Sequence, residues 1–190
     1  VLTDPRLPDQ SPTERRQIYD NKIRTLARLH QIDHEAIGLG DYGKPGNYFA
    51  RQLDRWTKQY RASETQRLEP VETLISYLEA NLPEDDGQVC LVHGDFRLDN
   101  MMFAKGGEEI IALLDWELST LGHPYADLAY QCMQWRLPSS AAIPGLGDVD
   151  REALGIPSEA EYVRRYCERR GIDAIPDWEF YLAFSFFRLA

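Results

Sequence analysis

The sequence predicts an α+β fold, predominantly helical, in which one small β-hairpin carries a polar loop. Three observations predict it. Apolar residues recur at helical spacing through most of the chain, behind recognisable capping signals. The period changes at QVCLV, 88–92, a short β-prone run. Two apolar segments, NMMFA and EIIALLD, then flank KGGE, whose glycines can supply the positive φ angles of a tight reversal.

The first helix opens with Ser11 as N-cap, Pro12 at the first helical position and Glu14 closing a capping box. Ile18, Ile23, Leu26 and Leu29 then keep helical spacing, which predicts a helix over 12–32. Glycines and a proline between Gly38 and Gly46 interrupt it, and Phe49, Leu53, Trp56 and Tyr60 predict a second helix with a packed face. Leu68, Val71, Leu74, Ile75, Leu78 and Leu82 make a third, stopped by Pro83. In the hairpin, Gly106 and Gly107 as turn residues set Lys105 opposite Glu108 and Asn100 opposite Leu113. Asp115 is then the diagonal neighbour of Asn100. Helical signals resume at PYADLAYQCMQW, with Pro124 near the first turn. A Pro/Gly/Ser-rich passage over 137–157 reads as a long loop. Ser158 and Glu161 form another capping box for a helix ending at Gly171, and a last helix starts near Pro176.

At 190 residues the chain can bury one core. Its 43% apolar content and ten tyrosines place it among globular proteins rather than disordered ones. A net charge of −10 argues against a nucleic-acid partner, which needs a clustered basic face. The nearest such cluster, Arg164, Arg165, Arg169 and Arg170, spreads over a helix surface. Cys90, Cys132 and Cys167 match no metal or redox spacing and read as buried thiols. No apolar run approaches a membrane span and nothing at the start resembles a signal peptide, so a cytoplasmic protein with no membrane partner is expected. The start at Val1 and the aromatic ending FYLAFSFFRLA lead us to expect a piece of a longer chain.

The chemistry concentrates in LVHGDFRLDN, 91–100. The hairpin register gathers Asp95, Asn100 and Asp115 at one end of two strands. Two carboxylates and an amide oxygen make a hard oxygen site, suited to Mg²⁺, which takes few protein ligands and completes its shell with water and phosphate oxygens. Zinc would need cysteines or paired histidines that are not at suitable spacing. Taken alone, His-Gly-Asp is also an ordinary strand-end turn, with the aspartates bonding nearby amides. His30 and His34 follow a helix end and read as structural, and His123 reads as a turn residue. Trp116, Trp135 and Trp178 read as core.

HGDFRLDN followed by LLDWE and HPYADLAY resembles the aminoglycoside phosphotransferase and choline kinase group of the protein-kinase-like superfamily. The likeness is strong over 88–135 and moderate in LARLHQID, 26–33. It implies that residues 1–190 form the carboxy-terminal lobe of a kinase-like phosphotransferase, the hairpin carrying its catalytic loop. It further implies an ATP- and Mg²⁺-dependent enzyme acting on a hydroxyl of a small molecule. Asp95 would be the catalytic carboxylate, Arg97 a cation for the phosphoryl group in flight, and Asn100 and Asp115 the metal and nucleotide ligands. His93 and Asp127 would support the loop. The segment LLDWELSTLGHPYADLAY looks most like the branch fused to acyl-CoA dehydrogenases, which implies a hydroxyacyl-CoA-like acceptor. The acidic surface would favour an aminoglycoside or an amino alcohol instead.

Gly38, Gly40, Gly43 and Gly46 form no Gly-x-Gly-x-x-Gly behind a strand, and no strand lysine is found, so the amino-terminal nucleotide lobe is expected to lie outside this chain and the chain alone to turn over poorly or not at all. Two rival readings are a catalytically silent kinase-like binding module and a metal-dependent phosphoesterase. Retention of Asp95, Asn100 and Asp115 together argues against the first, and the shortage of further ligands against the second. The oligomeric state has no signature in the sequence.

Overall fold

The computed structural model describes residues 2–105 and 109–189. In chain order these form α1 (Pro12–Leu29), α2 (Tyr48–Ser63), α3 (Glu69–Ala80), β1 (Cys90–Val92), β2 (Met101–Phe103), β3 (Ile110–Leu113), β4 (Thr120–Gly122), α4 (Tyr125–Cys132), α5 (Arg151–Leu154), α6 (Glu159–Arg170) and α7 (Trp178–Phe187). The fold is α+β and mostly helical. No helix among the described residues is long and apolar enough to cross a membrane.

Local chemistry explains the helix ends. The Ser11 hydroxyl accepts the Glu14 amide at 3.3 Å while the Glu14 carboxylate accepts the Ser11 amide at 2.7 Å, so two orphan donors are satisfied reciprocally. At α6 the Ser158 hydroxyl accepts the Glu161 amide at 3.1 Å, but the expected return bond is not made. Glu161 instead accepts Arg165 Nη2 at 2.5 Å, one helical turn on, because an ionised donor outcompetes a neutral amide. Gly171 ends α6 in the left-handed conformation, with φ of 66°. The four arginines of α6 are spent internally: Arg165 and Arg169 on Asp20, Arg164 on Glu168, and Arg170 on the Tyr166 hydroxyl.

The strands make two antiparallel pairs rather than a single hairpin. β1 pairs with β4, a strand too short and too glycine-bearing to show alternation in the sequence. β2 pairs with β3, and here the expected register needs correction. Phe103 faces Ile110, but a bulge shifts the next pairs to Met102 with Ala112 and Met101 with Leu113. Ile111 is the extra residue and is 58% exposed. Leu113 therefore lies opposite Met101, and Asn100 faces Leu114, whose amide donates to the Asn100 carbonyl at 2.8 Å. The Gly106–Gly107 turn and the Lys105–Glu108 pairing lie outside the described residues.

The core is aromatic and joins first to last. Tyr19 on α1 meets Trp135 edge-on at 5.6 Å and Tyr162 on α6 at 6.4 Å. Phe49 on α2 sits among Phe180, Tyr181 and Phe184 of α7. The three cysteines are free and buried. Trp135 is buried and Trp178 packs against the core, whereas Trp116, expected inside, is 37% exposed because it follows the end of β3. The passage over 137–157 is tied down: the Leu146 amide donates to Gln134, the Gly147 amide to Leu137 and Arg151 to Leu146, with α5 inside it.

One core residue is out of character. Lys22 on α1 is fully buried and its Nζ has no hydrogen-bond partner, lying 4.7 Å over the Tyr19 ring. Burial pulls its pKa from 10.5 down to about 7. Between those two values the unfolded chain holds a proton that the folded chain has released, so stability should rise with pH across that window. Lys22→Met should raise the melting temperature at about pH 7 and below, and thermal scans should show the gain shrinking towards about pH 10.

Candidate active site

The segment after β1 is suspended from one carboxylate. Asp127, in the first turn of α4, is fully buried and accepts the His93 amide at 2.7 Å on one oxygen and the Gly94 amide at 2.8 Å on the other. Two charge-assisted bonds from consecutive amides fix both the position and the direction of the chain entering Asp95. Gly94 has φ of +85°, and a Cβ there would meet the Leu118 carbonyl oxygen at 2.5 Å, so the turn admits no side chain.

Behind Asp127 runs a buried chain of polar groups. His30, at the C-cap of α1, approaches Asp127 through Nε2 at 3.3 Å and the Tyr166 hydroxyl through Nδ1 at 2.6 Å. A carboxylate cannot donate, so Nε2 carries the proton and Nδ1 accepts from Tyr166, whose oxygen in turn accepts Arg170 at 3.1 Å. Burial lowers the His30 pKa, opposed by Asp127, and the ring stays neutral near pH 7. The sequence marks His30 as a helix-end residue; its partnership with Asp127 has no local signature.

His93 is fully buried and uses both ring nitrogens. Nε2 donates to the Leu114 carbonyl at 2.9 Å and Nδ1 accepts the Asp95 amide at 3.3 Å. Its ring also lies 4.7 Å from that of Trp116. It thereby clamps the loop to the segment leaving β3, and neither nitrogen is left to act as a base.

Asn100 closes the loop. Its Nδ2 donates to the Asp95 carbonyl at 2.9 Å and to the Asp95 carboxylate at 2.8 Å. The amide nitrogen being so engaged, Oδ1 is free of hydrogen bonds among the described residues. Arg97 turns back on its own loop, 2.7 Å from Asp99 and 3.3 Å from Asp95. The Tyr130 hydroxyl on α4 has its pKa pushed up by burial and then by Asp95. Asp115 follows the Asn100–Leu114 tie directly. It is exposed, adopts a left-handed φ of 61° and makes no hydrogen bond or ion pair among the described residues. A non-glycine residue in that conformation is strained, so the surrounding contacts must hold it.

The loop thus collects Asp95, Arg97 and Asn100 beside the segment that ends in Asp115, with His93 and Asp127 beneath them. Asn100 Oδ1 and the Asp115 carboxylate are hard oxygen donors with no hydrogen-bond or ion-pair partner among the described residues, the kind of donor a magnesium ion prefers. Among the described residues no group of three or more His, Cys, Asp or Glu side chains could hold a metal. His123, read as a turn residue, is buried instead: its Nε2 lies 3.2 Å from Asp86 and its ring stacks on Tyr181.

Known proteins resemble this chain in sequence and fold. A model described as the phosphotransferase enzyme family matches residues 2–184. Mouse acyl-CoA dehydrogenase family member 10 is 49% identical over all of this chain, which spans 18% of that relative. Human acyl-CoA dehydrogenase family member 11 is 41% identical, and the chain spans 24% of it. A solved structure from Ralstonia eutropha, provisionally named an aminoglycoside phosphotransferase, superposes with a TM-score of 0.95 at 50% identity, covering all of this chain and 57% of that one. The aminoglycoside phosphotransferase APH(3'')-Id of Streptomyces rimosus, solved with ADP and streptomycin, has a TM-score of 0.64 at 18% identity, covering 98% of this chain and 66% of that one, and shows a common fold.

Asp127→Ala should lower the unfolding free energy by about 3–5 kcal/mol in denaturant titrations, since two buried amides and His30 lose their acceptor. Asp127→Asn should recover little of it, because its NH₂ would face a donor.

Proposed function

The chain belongs to the phosphotransferase enzyme family, and on that premise we propose that it is the catalytic lobe of an ATP- and Mg²⁺-dependent small-molecule kinase. The observation that carries the reading is the pair of hydrogen bonds that Asn100 Nδ2 donates to the Asp95 carbonyl and carboxylate. One residue both immobilises the carboxylate and leaves its own oxygen exposed to a cation, which is what phosphoryl transfer demands of a protein: positioning and charge rather than covalent chemistry.

In this reading Asp95 orients the acceptor hydroxyl and takes its proton as the new O–P bond forms and ADP leaves. Asn100 and Asp115 would hold the magnesium, which when bound neutralises charge on the transferring phosphates. Arg97 rests against Asp95 and Asp99, and would reach the phosphoryl group only by leaving Asp99. The exposure of Asp115 fits a site completed by an amino-terminal lobe outside residues 1–190, which would supply the remaining nucleotide contacts. For the acceptor we propose a hydroxyl on an acyl-CoA-type metabolite ahead of an aminoglycoside or amino alcohol. Relatives at 41–49% identity carry acyl-CoA dehydrogenase names; the Ralstonia eutropha structure at 50% carries an aminoglycoside phosphotransferase name, and the structure solved with streptomycin shares the fold at 18%.

The test uses the full-length protein. Asp95→Asn should reduce acceptor-dependent ADP release by about 10²–10⁴-fold while leaving nucleotide affinity nearly intact. Asp115→Ala should abolish the rise in melting temperature produced by ATP with Mg²⁺. No rise in the wild type, or an unchanged rate in Asp95→Asn, refutes the assignment.

A further inference from the structure

A cavity of about 190 Å³ lies between α2 and the end of α7, lined by Trp56, Gln59, Tyr60, Ser63, Phe187 and Arg188. The reaction steps above make no use of it, yet it adjoins them. Arg188 Nη2 donates to the Gly94 carbonyl at 2.9 Å, one residue before Asp95. The guanidinium lies 5.9 Å from the Trp56 ring and 5.1 Å from that of Tyr130, the residue whose hydroxyl answers to Asp95.

Like Arg15, Arg51 and Arg151, Arg188 bonds backbone carbonyl rather than carboxylate among the described residues, but it alone of these lies over two aromatic rings beside the loop. Arg61, Arg136, Arg164, Arg165 and Arg169 each pair with a carboxylate. Arg188 makes one hydrogen bond, to a backbone carbonyl, and joins no ion pair among the described residues, although the chain carries 31 acidic side chains. A guanidinium has five donors in a fixed fork, and stacking on aromatic faces holds the fork in place without consuming them. Tyr60, on the same wall, has a buried hydroxyl with no partner. Unused donors on an aromatic wall beside a catalytic loop are suited to a bidentate oxyanion.

We propose that this cavity anchors the acceptor, that it takes an oxyanion, and that Arg188 is its specificity-determining residue. The name acceptor rests on the phosphotransfer reading; the anion site does not. The volume is about six times the 30 Å³ share of a liquid water, room for a carboxylate or one phosphate on a short stem. A polycationic antibiotic would meet both a tight wall and a like charge. The oxyanion has two possible sources, the carboxylate of a free hydroxy acid or a phosphate of its CoA thioester.

Titration calorimetry on the full-length protein with hydroxybutyrate, hydroxybutyryl-CoA, choline and streptomycin separates them. At least one of the two anionic probes should bind and the two cations should not. Binding of the free acid alone identifies a carboxylate site, and binding of the thioester alone a phosphate site. Arg188→Gln should weaken the bound anion about tenfold or more, the loss expected for a charge-assisted bond, and Arg188→Lys should restore part of it. Trp56→Ala, which leaves the Gly94 contact untouched, should weaken it too and serves if Arg188→Gln does not fold. Failure of both anions to bind, unchanged binding in the variants, or tighter binding of a cation overturns the proposal. Anion binding without ADP release would retire the phosphotransfer reading and leave the subsite. ADP release with an acceptor KM unmoved by Arg188→Gln would retire the subsite alone.

Discussion

The catalytic segment depends on one buried carboxylate. Asp127 spans two consecutive amides, His93 and Gly94, at 2.7 and 2.8 Å, one on each carboxylate oxygen. A carboxylate in the core is costly unless each lone pair is used, and here the third donor is His30, kept neutral by burial and fixed in its tautomer by Tyr166. The consequence is directional: α1, α4 and α6 all contribute to the orientation of a loop that none of them contains. A helical body is therefore the means by which a short polar turn acquires rigidity, and the strands only deliver the chain to it.

Above that anchor the backbone is forced through two left-handed points, Gly94 at φ of 85° and Asp115 at 61°. The first is free of penalty because glycine has no side chain to strain; the second carries a penalty of order 1–2 kcal/mol. His93 links them, with its imidazole bonded to Leu114 on one side and Asp95 on the other. The bulge at Ile111 serves the same end. Without the extra residue Asn100 would face Leu113; with it, the Leu114 amide is drawn to the Asn100 carbonyl and Asp115 emerges beside the loop. Left-handed backbone also occurs away from the loop, at Leu7, Asn47 and Asp177, but only here do two such points and a bulge flank one polar segment.

These features differ in how far they can be read from sequence. Helix limits follow from neighbours in the chain, so Ser11, Glu14 and Gly171 announced them correctly. The loop was legible because its residues are contiguous and because their resemblance to a family is specific. The bulge was not, since a turn motif sets the register at the tip and says nothing about a residue inserted beyond it. β4 is three residues long, too few to show a period. Contacts between distant parts left no trace at all: Arg188 reaches Gly94 across 94 positions, and His30 reaches Tyr166 across 136. A helix-end histidine and an arginine in an aromatic helix look ordinary until the fold shows what they face.

Exposure divides the site into halves of different character. Asp127 and His93 are wholly buried, the Asp95 side chain is 16% exposed, and Asp115 is open to solvent. Electrostatic interactions strengthen as water is excluded, so Asp95 is held in advance while Asp115 is not. An exposed carboxylate in water is a weak magnesium ligand by itself, so on the proposed reading the arrangement would become effective only when something covers it. The same gradient explains why the clamps converge on Asp95 rather than on Asp115. On the proposed phosphotransfer reading, the chain fixes the group that would be aimed at a hydroxyl and leaves accessible the group that would admit a hydrated cation and its phosphates. Precision is placed where an ångström decides the rate, and access where a bulky, charged ligand has to enter and leave.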